Sequence, residues 1–152
     1  MPTYVCSTPA GALTSEQKKT IAKSICRNHS DATGAPQFFV QVIFDEKDAN
    51  ARFLGGEATP GHFWIRGDIR AGRTEAQREK LMLSIMKDVS RIAGIEEDSI
   101  WVYLCNLEPT DMVEYGHVLP KPGGEKAWFE GLPDSLKTYL ARLGTDDENF
   151  TL

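Results

Sequence analysis

The chain has 152 residues, 41% of them hydrophobic, which fits one domain able to bury a hydrophobic core. Its net charge of −5, with dispersed lysines and arginines, argues against nucleic acid or an anionic membrane as partner, since both favour a concentrated basic face. No apolar run reaches the length of a membrane span, and the start lacks the basic and apolar regions of a signal peptide. We therefore expect a cytoplasmic protein.

The cysteines and histidines predict no metal site. Cys6, Cys26 and Cys105 are odd in number and lack C-x-x-C spacing, and the histidines form no HExxH motif. Glycine motifs that bind phosphate groups are also absent from the sequence. We expect reduced cysteines, no metal and no cofactor.

The first third of the chain predicts a β-α-β unit. Residues 4–6 form a short apolar segment before a turn. Thr14 and Gln17 have the spacing of a capping box, and apolar residues at helical spacing follow as far as Gly34. Residues 37–44 are rich in aromatic and β-branched side chains, which favours a second strand.

The same pattern recurs sixty residues later. The predicted helix start Thr14 falls on Thr74, and the glycine that ends the first helix falls on Gly94, without a gap. The repeat predicts an α/β (α+β) fold with two fused β-α-β units, residues 2–61 and 62–130, which share a four-stranded sheet with both helices on one face. We expect the aromatic residues of the other face to pack against another subunit.

The two halves differ at two positions that could carry chemistry. Pro2 corresponds to the internal His62, and His29 corresponds to Val89, so one site per chain is predicted in the first half. Removal of Met1 would leave Pro2 as a terminal amine, and such amines have a pKa of about 7.7–8.0. The residues alone also allow Pro2 to be an ordinary start of a strand.

Two arginines precede the second predicted helix. Arg70 and Arg73 are three residues apart, directly before the helix start at Thr74. A helix N-terminus favours an anion, and arginine forks match carboxylates. The pair predicts a carboxylate site, although solvated surface arginines are the alternative from the residues alone.

Three stretches resemble a known family: Phe-Leu-Gly-Gly at residues 53–56, the Arg70-x-x-Arg73 pair, and the run Ile-Trp-Val-Tyr through Pro-Gly at residues 100–123. With the fused repeat and Pro2, they resemble the tautomerase superfamily and, in detail, the family of cis-3-chloroacrylic acid dehalogenase. The resemblance covers roughly residues 2–130. It implies a homotrimer that acts on a small carboxylic acid without a cofactor.

The resemblance assigns roles to six positions: Pro2, His29, Arg70, Arg73, Tyr103 and Glu114. It implies that both arginines and the histidine bind the carboxylate of a 3-haloacrylate. The glutamate, assisted by the tyrosine hydroxyl, activates the water that adds at C-3, and the protonated proline gives a proton to C-2. This is hydrolytic dehalogenation or hydration of an unsaturated acid.

Two alternatives remain open. A neutral Pro2 would instead act as a base in the tautomerisation of a pyruvate-type enol acid. A protein of another class, a non-catalytic binding protein of this superfamily, is the second alternative. At the other end of the chain, residues 133–144 predict a short helix, and residues 145–152 predict a flexible acidic tail.

Overall fold

The computed structural model describes residues 2–59 and 61–143. The described strands, in chain order, are β1 (Thr3–Pro9), β2 (Gln41–Lys47), β3 (Phe53–Leu54), β4 (Glu57–Ala58), β5 (Phe63–Arg70), β6 (Ile100–Leu107), β7 (Val113–Glu114) and β8 (His117–Val118). The described helices are α1 (Ser15–Thr33), α2 (Glu75–Ala93), α3 (Glu125–Glu130) and α4 (Asp134–Leu143). None of these helices is long and apolar enough to cross a membrane.

Both long helices begin and end where the repeated sequence predicts. The side chain of Thr14 accepts a hydrogen bond from the backbone N–H of Gln17, and Thr74 makes the same capping box at α2. Gly34 and Gly94 end the helices in the left-handed conformation, with φ of 71° and 70°. Local capping chemistry therefore sets the bounds of both helices.

The sheet joins two β-α-β units. Its order is β2-β1-β5-β6, with β1 parallel to β2, β5 parallel to β6, and β1 antiparallel to β5. Helices α1 and α2 pack on one face of this sheet, and the main core between them includes Tyr4, Cys6, Ile21, Ile25, Ile65, Ile69, Leu81 and Ile85. The predicted mixed fold with a four-stranded sheet is confirmed.

The prediction of a strand from residue 37 was wrong at its start. Gln37–Phe39 form a 3₁₀ turn, and β2 begins at Gln41. Phe38 and Phe39 leave the sheet to pack in a second apolar cluster, where their partners come from the C-terminal segment: Leu119, Leu132 and Leu140. Since an aromatic run suits a strand and a buried turn equally, the sequence pattern could not separate them.

The face of the sheet opposite the helices is open in the single chain. It carries exposed apolar side chains, including Ile43, Trp101 and Tyr103, which are 42%, 40% and 51% exposed. At the C-terminal end, α4 lies where the sequence predicts a short helix. The predicted acidic tail, residues 145–152, lies outside the described residues.

Candidate active site

Four of the predicted site residues meet at the ends of the two central strands, β1 and β5. Because β1 and β5 are antiparallel, the start of β1 lies beside the end of β5, and this brings Pro2 next to Arg70. The residues that line the enclosed space are Pro2, His29, Ala35, Phe39, Arg70 and Arg73. Its volume of about 10 Å³ is room for roughly one water molecule.

His29 projects from α1 into this cavity and is held by Tyr4. The Tyr4 hydroxyl lies 2.8 Å from Nδ1 of His29, and both side chains are buried. Burial, followed by the positive charges of Arg73 and Arg70, lowers the pKa of His29 to about 3. The imidazole is therefore neutral at pH 7 and carries one N–H group.

The buried hydroxyl of Tyr4 decides which ring nitrogen of His29 carries that proton. Burial raises the pKa of Tyr4, so it stays a phenol with one O–H to donate. Within the described residues, Nδ1 of His29 is the one acceptor in reach. Since an unsatisfied buried O–H is costly, Tyr4 donates to Nδ1, and Nε2–H of His29 is left to donate to a ligand.

Gly67 makes room for the Tyr4 ring. The two residues are paired in the register of β1 and β5. A Cβ at position 67 would lie 2.5 Å from Cε1 of Tyr4 and 2.9 Å from Cδ2 of Leu104, both shorter than atoms tolerate. Because Gly67 has no side chain, the Tyr4 ring can pack against it, and the Tyr4 hydroxyl can reach His29.

Arg70, at the end of β5, is buried and bound by the C-terminal segment. One guanidinium nitrogen donates to Oε1 of Glu125 at 2.5 Å, and another donates to the backbone oxygen of Pro120 at 2.7 Å. Burial opposes ionisation of Glu125, but the hydrogen bond and charge of Arg70, together with backbone hydrogen bonds at Glu125 and Gly123, outweigh it, so the pKa of Glu125 is lowered. Arg70 is therefore a cation held in place by its ion pair with Glu125.

Arg73 differs from Arg70 in having no such partner. Its side chain is half-buried in the loop before α2, and its guanidinium makes no hydrogen bond or ion pair within the described part of the chain. Burial and the neighbouring charge of Arg70 lower its pKa, although it remains far above neutral pH. Arg73 is therefore the arginine whose donors are available to an incoming carboxylate.

Glu114 is presented by a tight hairpin beside this cavity. Strands β7 and β8 are joined by Tyr115 and Gly116, with φ of 52° and 79°, and positive values at both positions are typical of two-residue hairpin turns. Glu114 lies on the wall of an open cavity of about 670 Å³, whose lining also includes Phe39. Burial raises the pKa of Glu114, and the charge of Arg70 partly opposes this effect. A carboxylate with a raised pKa suits a general base.

Tyr103 lies apart from these residues in the single chain. It stands on β6, on the open face of the sheet, and lines a different cavity of about 430 Å³ together with Arg52, His62 and Trp101. His62 is the counterpart of Pro2 in the second half. Four of the six predicted residues therefore line one cavity, Glu114 lines the cavity next to it, and Tyr103 lies apart from both.

No described part of the chain offers a group of three or more histidine, cysteine or acidic side chains placed to hold a metal ion.

Comparison with known proteins identifies the family. A family model described as "Putative oxalocrotonate tautomerase enzyme" matches residues 1–132. The chain belongs to this tautomerase family. The crystal structure of N1, a member of the cis-3-chloroacrylic acid dehalogenase family, is 38% identical, with a TM-score of 0.89 over 92% of this chain and 99% of that chain. The family predicted from the sequence is confirmed.

Further tautomerase-fold structures resemble the chain less closely. The structure of native Ps01740 is 30% identical, with a TM-score of 0.71 over 74% of this chain and 99% of that chain. An asymmetric trimer of the fused 4-OT named F6 is 26% identical, with a TM-score of 0.72 over 76% of this chain and 94% of that chain. No curated protein matches the chain significantly in sequence.

Sequence reasoning missed two residues of this tautomerase-family site, Tyr4 and Glu125. A signal for Tyr4 exists, because it shares the helix-facing side of β1 with Cys6, and a buried tyrosine hydroxyl needs a partner. Glu125 has no comparable signal. It reaches Arg70 across 55 residues of sequence through the packing of the C-terminal segment.

Proposed function

We propose that the chain is a cofactor-independent hydrolytic dehalogenase or hydratase that adds water to a small unsaturated carboxylic acid of the 3-haloacrylate type. The observation that carries the proposal is the convergence of Pro2, His29, Arg70 and Arg73 on one cavity, with the Glu114 carboxylate in electrostatic range. This set combines an anion site with an acid and a base. The 38% identity to N1, a member of the cis-3-chloroacrylic acid dehalogenase family, supports the same chemistry.

The substrate carboxylate binds first to Arg73, whose guanidinium is available, and to Nε2–H of His29. Arg70 adds a fixed positive charge from behind. These groups draw electron density away from C-3 and stabilise the negative charge that develops on the carboxylate as water adds.

Water addition then needs a base that acts at C-3 and an acid that acts at C-2. Glu114 takes a proton from water, whose oxygen bonds to C-3, and protonated Pro2 gives its proton to C-2. A 3-haloacrylate becomes a 3-halo-3-hydroxypropanoate, which loses halide and a proton to give malonate semialdehyde. The proton on Glu114 passes to solvent and Pro2 takes one up, which completes the cycle.

We propose that Tyr103 assists the water through assembly of a homotrimer. Tyr103 lies on the open apolar face of the sheet and is 51% exposed. In a homotrimer, Tyr103 of one subunit can reach the Pro2 cavity of the neighbouring subunit. Trp101 on the same strand and Ile43 on β2, at the opposite edge of the sheet, are also exposed and give this face an apolar surface to bury. The related fused 4-OT named F6 is a trimer.

A tautomerase that acts on a pyruvate-type enol acid is the second candidate function. The observation that favours it is the presence of two guanidinium groups on the wall of the Pro2 cavity. Like charges disfavour protonation of an amine, whereas Glu114 favours it. If the arginines dominate, Pro2 is a neutral base and moves a proton between enol and keto forms.

The test compares water addition with tautomerisation in wild type and Glu114→Gln. The substrates are cis- and trans-3-chloroacrylate, an acetylenic acid and the enol of phenylpyruvate, with halide release, aldehyde formation and ketonisation measured separately. Loss of the base should reduce water addition by about 10²- to 10⁴-fold and leave ketonisation near wild type. The control is Glu57→Gln, an exposed glutamate on the other hairpin.

Two outcomes would contradict the proposal. Equal loss of both activities in Glu114→Gln would mean that Glu114 acts on Pro2 or on the fold. Wild-type protein that turns over none of the acids would leave these residues as the binding site of a non-catalytic superfamily member.

A further inference from the structure

We propose that Glu125 is a positioning residue of this site: it fixes the Arg70 guanidinium against the Pro2 cavity and cancels one arginine charge, so that Pro2 retains its proton. The inference rests on the proposed function, because it concerns which of the two reactions the site favours. Glu125 touches neither substrate nor water in this scheme and acts through Arg70.

The contacts of Arg70 support this role. Its side chain is 4% exposed, and its guanidinium is bound on two sides by the C-terminal segment, through Glu125 at 2.5 Å and the Pro120 carbonyl at 2.7 Å. A cation so deeply buried needs a counter-charge to remain in place. Among the described residues, Glu125 is the one carboxylate paired with Arg70.

The segment that carries Glu125 is itself attached to the body of the protein. Indole Nε1 of Trp128, one turn later on α3, donates to the carbonyl of Val118 at 2.9 Å. Leu119 and Leu132, on either side of α3, are buried in the cluster around Phe39, which also lines the Pro2 cavity. Packing thus sets the position of the Glu125 carboxylate, and the hydrogen bond to this carboxylate fixes the Arg70 guanidinium.

The charges around Pro2 explain why one carboxylate matters. The titratable and charged groups that face it come from five parts of the fold: neutral His29 on α1, Arg70 on β5, Arg73 before α2, Glu114 on β7 and, behind Arg70, Glu125 on α3. Two cations are matched by two carboxylates. Without Glu125 the cations outnumber the carboxylates, which favours neutral Pro2, a base, over the protonated form that water addition requires.

The test uses Glu125→Gln, which removes the charge and keeps a hydrogen-bond acceptor for Arg70. Its matched control is Glu130→Gln, which removes the same charge from the exposed end of the same helix. The Pro2 titration is followed by ¹⁵N NMR in proline-labelled protein whose Met1 is removed. We expect it to move about one pH unit lower in Glu125→Gln, because the negative charge paired with Arg70 is lost, and to stay unchanged in Glu130→Gln.

The activity ratio provides a second readout. Water addition relative to tautomerisation, measured at one pH between the two Pro2 titrations, should fall about tenfold in Glu125→Gln. Glu125→Asp keeps the charge on a shorter arm. It should restore the wild-type titration but raise KM, because Arg70 is displaced. A purely structural role would change stability without moving the Pro2 titration.

The outcomes separate this inference from the proposed function. If Glu125→Gln and Glu130→Gln show the same Pro2 titration and activity ratio, Glu125 does not position Arg70 for catalysis, whatever the reaction is. If the Pro2 titration depends on Glu125 but wild type turns over no unsaturated acid, the positioning role stands and the proposed function is wrong.

Discussion

The hydroxyl of Tyr4 lies 2.8 Å from Nδ1 of His29, and these two buried side chains join the first strand to the first helix at the edge of the cavity. Since the hydroxyl donates in this pair, it fixes His29 as the tautomer with its proton on Nε2. The same contact orients the ring toward Pro2 and both arginines. His29 is thus prepared as a donor to a carboxylate before any ligand arrives.

Tyr4→Phe should release this constraint on His29. One hydrogen bond of about 0.5–1.5 kcal/mol is lost, so we expect KM for a carboxylic substrate to rise by about two- to tenfold. Imidazole ¹⁵N shifts should change from one tautomer to a mixture. Tyr139→Phe, at a 52% exposed tyrosine, is the control. An unchanged tautomer in Tyr4→Phe would contradict the assignment.

Gly67→Ala should disturb the same pair from the opposite strand. The new Cβ would lie 2.5 Å from the Tyr4 ring, which is fully buried and has no room to swing away. Overpacking of this kind costs about 1–3 kcal/mol in the free energy of unfolding, measurable with urea. At Gly61 a Cβ meets nothing within 4 Å, so Gly61→Ala should be tolerated. Equal stability of both variants would contradict the predicted clash.

The two arginines should respond differently to truncation. Arg73→Ala removes a charge-assisted bond of about 1.5–3 kcal/mol, so KM should rise by about ten- to a hundredfold with little change in stability. Arg70→Ala leaves Glu125 without its partner, so it should also lower the free energy of unfolding by about 2 kcal/mol, less than for a fully buried pair. Arg91→Ala, at an exposed arginine on α2, is the control. Similar loss of stability in both variants would contradict the asymmetry.

The pH dependence of stability should report on His29. Its pKa is about 3 in the folded protein and about 6.5 in an unfolded chain, so between these values the unfolded chain binds the extra proton. The free energy of unfolding therefore falls as the pH falls below 6.5, by about 2 kcal/mol at pH 5 from this residue. Urea titrations of His29→Gln should lack this contribution, whereas His117→Gln should keep it. Parallel profiles for wild type and His29→Gln would contradict the neutral, buried imidazole.

Much of the fold could be predicted because it is encoded locally. Thr14 and Thr74 make their capping boxes within four residues, and Gly34 and Gly94 take the left-handed conformation that ends a helix. The sixty-residue repeat then implies one shared sheet. Pairing of β1 with β5 in turn brings the predicted Pro2 and Arg70 together.

The rest of the site depends on contacts that are distant in sequence. Phe38 and Phe39 lie outside the strand because they pack against apolar residues of the C-terminal segment. The pairing of Glu125 with Arg70 follows from the same packing. No local sequence pattern indicates either this ion pair or the phenylalanine cluster. Tyr103 illustrates another limit, since a strand pattern gives its face of the sheet but not the cavity that it lines.

The central claim is that a free Pro2 nitrogen carries the chemistry. Acylation by a retained Met1 would turn this nitrogen into a tertiary amide, which has neither a proton to give nor a basic lone pair. The decisive measurement pairs intact mass with activity on cis-3-chloroacrylate and phenylpyruvate enol, for processed protein and for a homogeneous preparation that retains Met1. The account predicts an active protein one methionine lighter and an inert one with Met1 in place. Full activity in the protein that retains Met1 would contradict it.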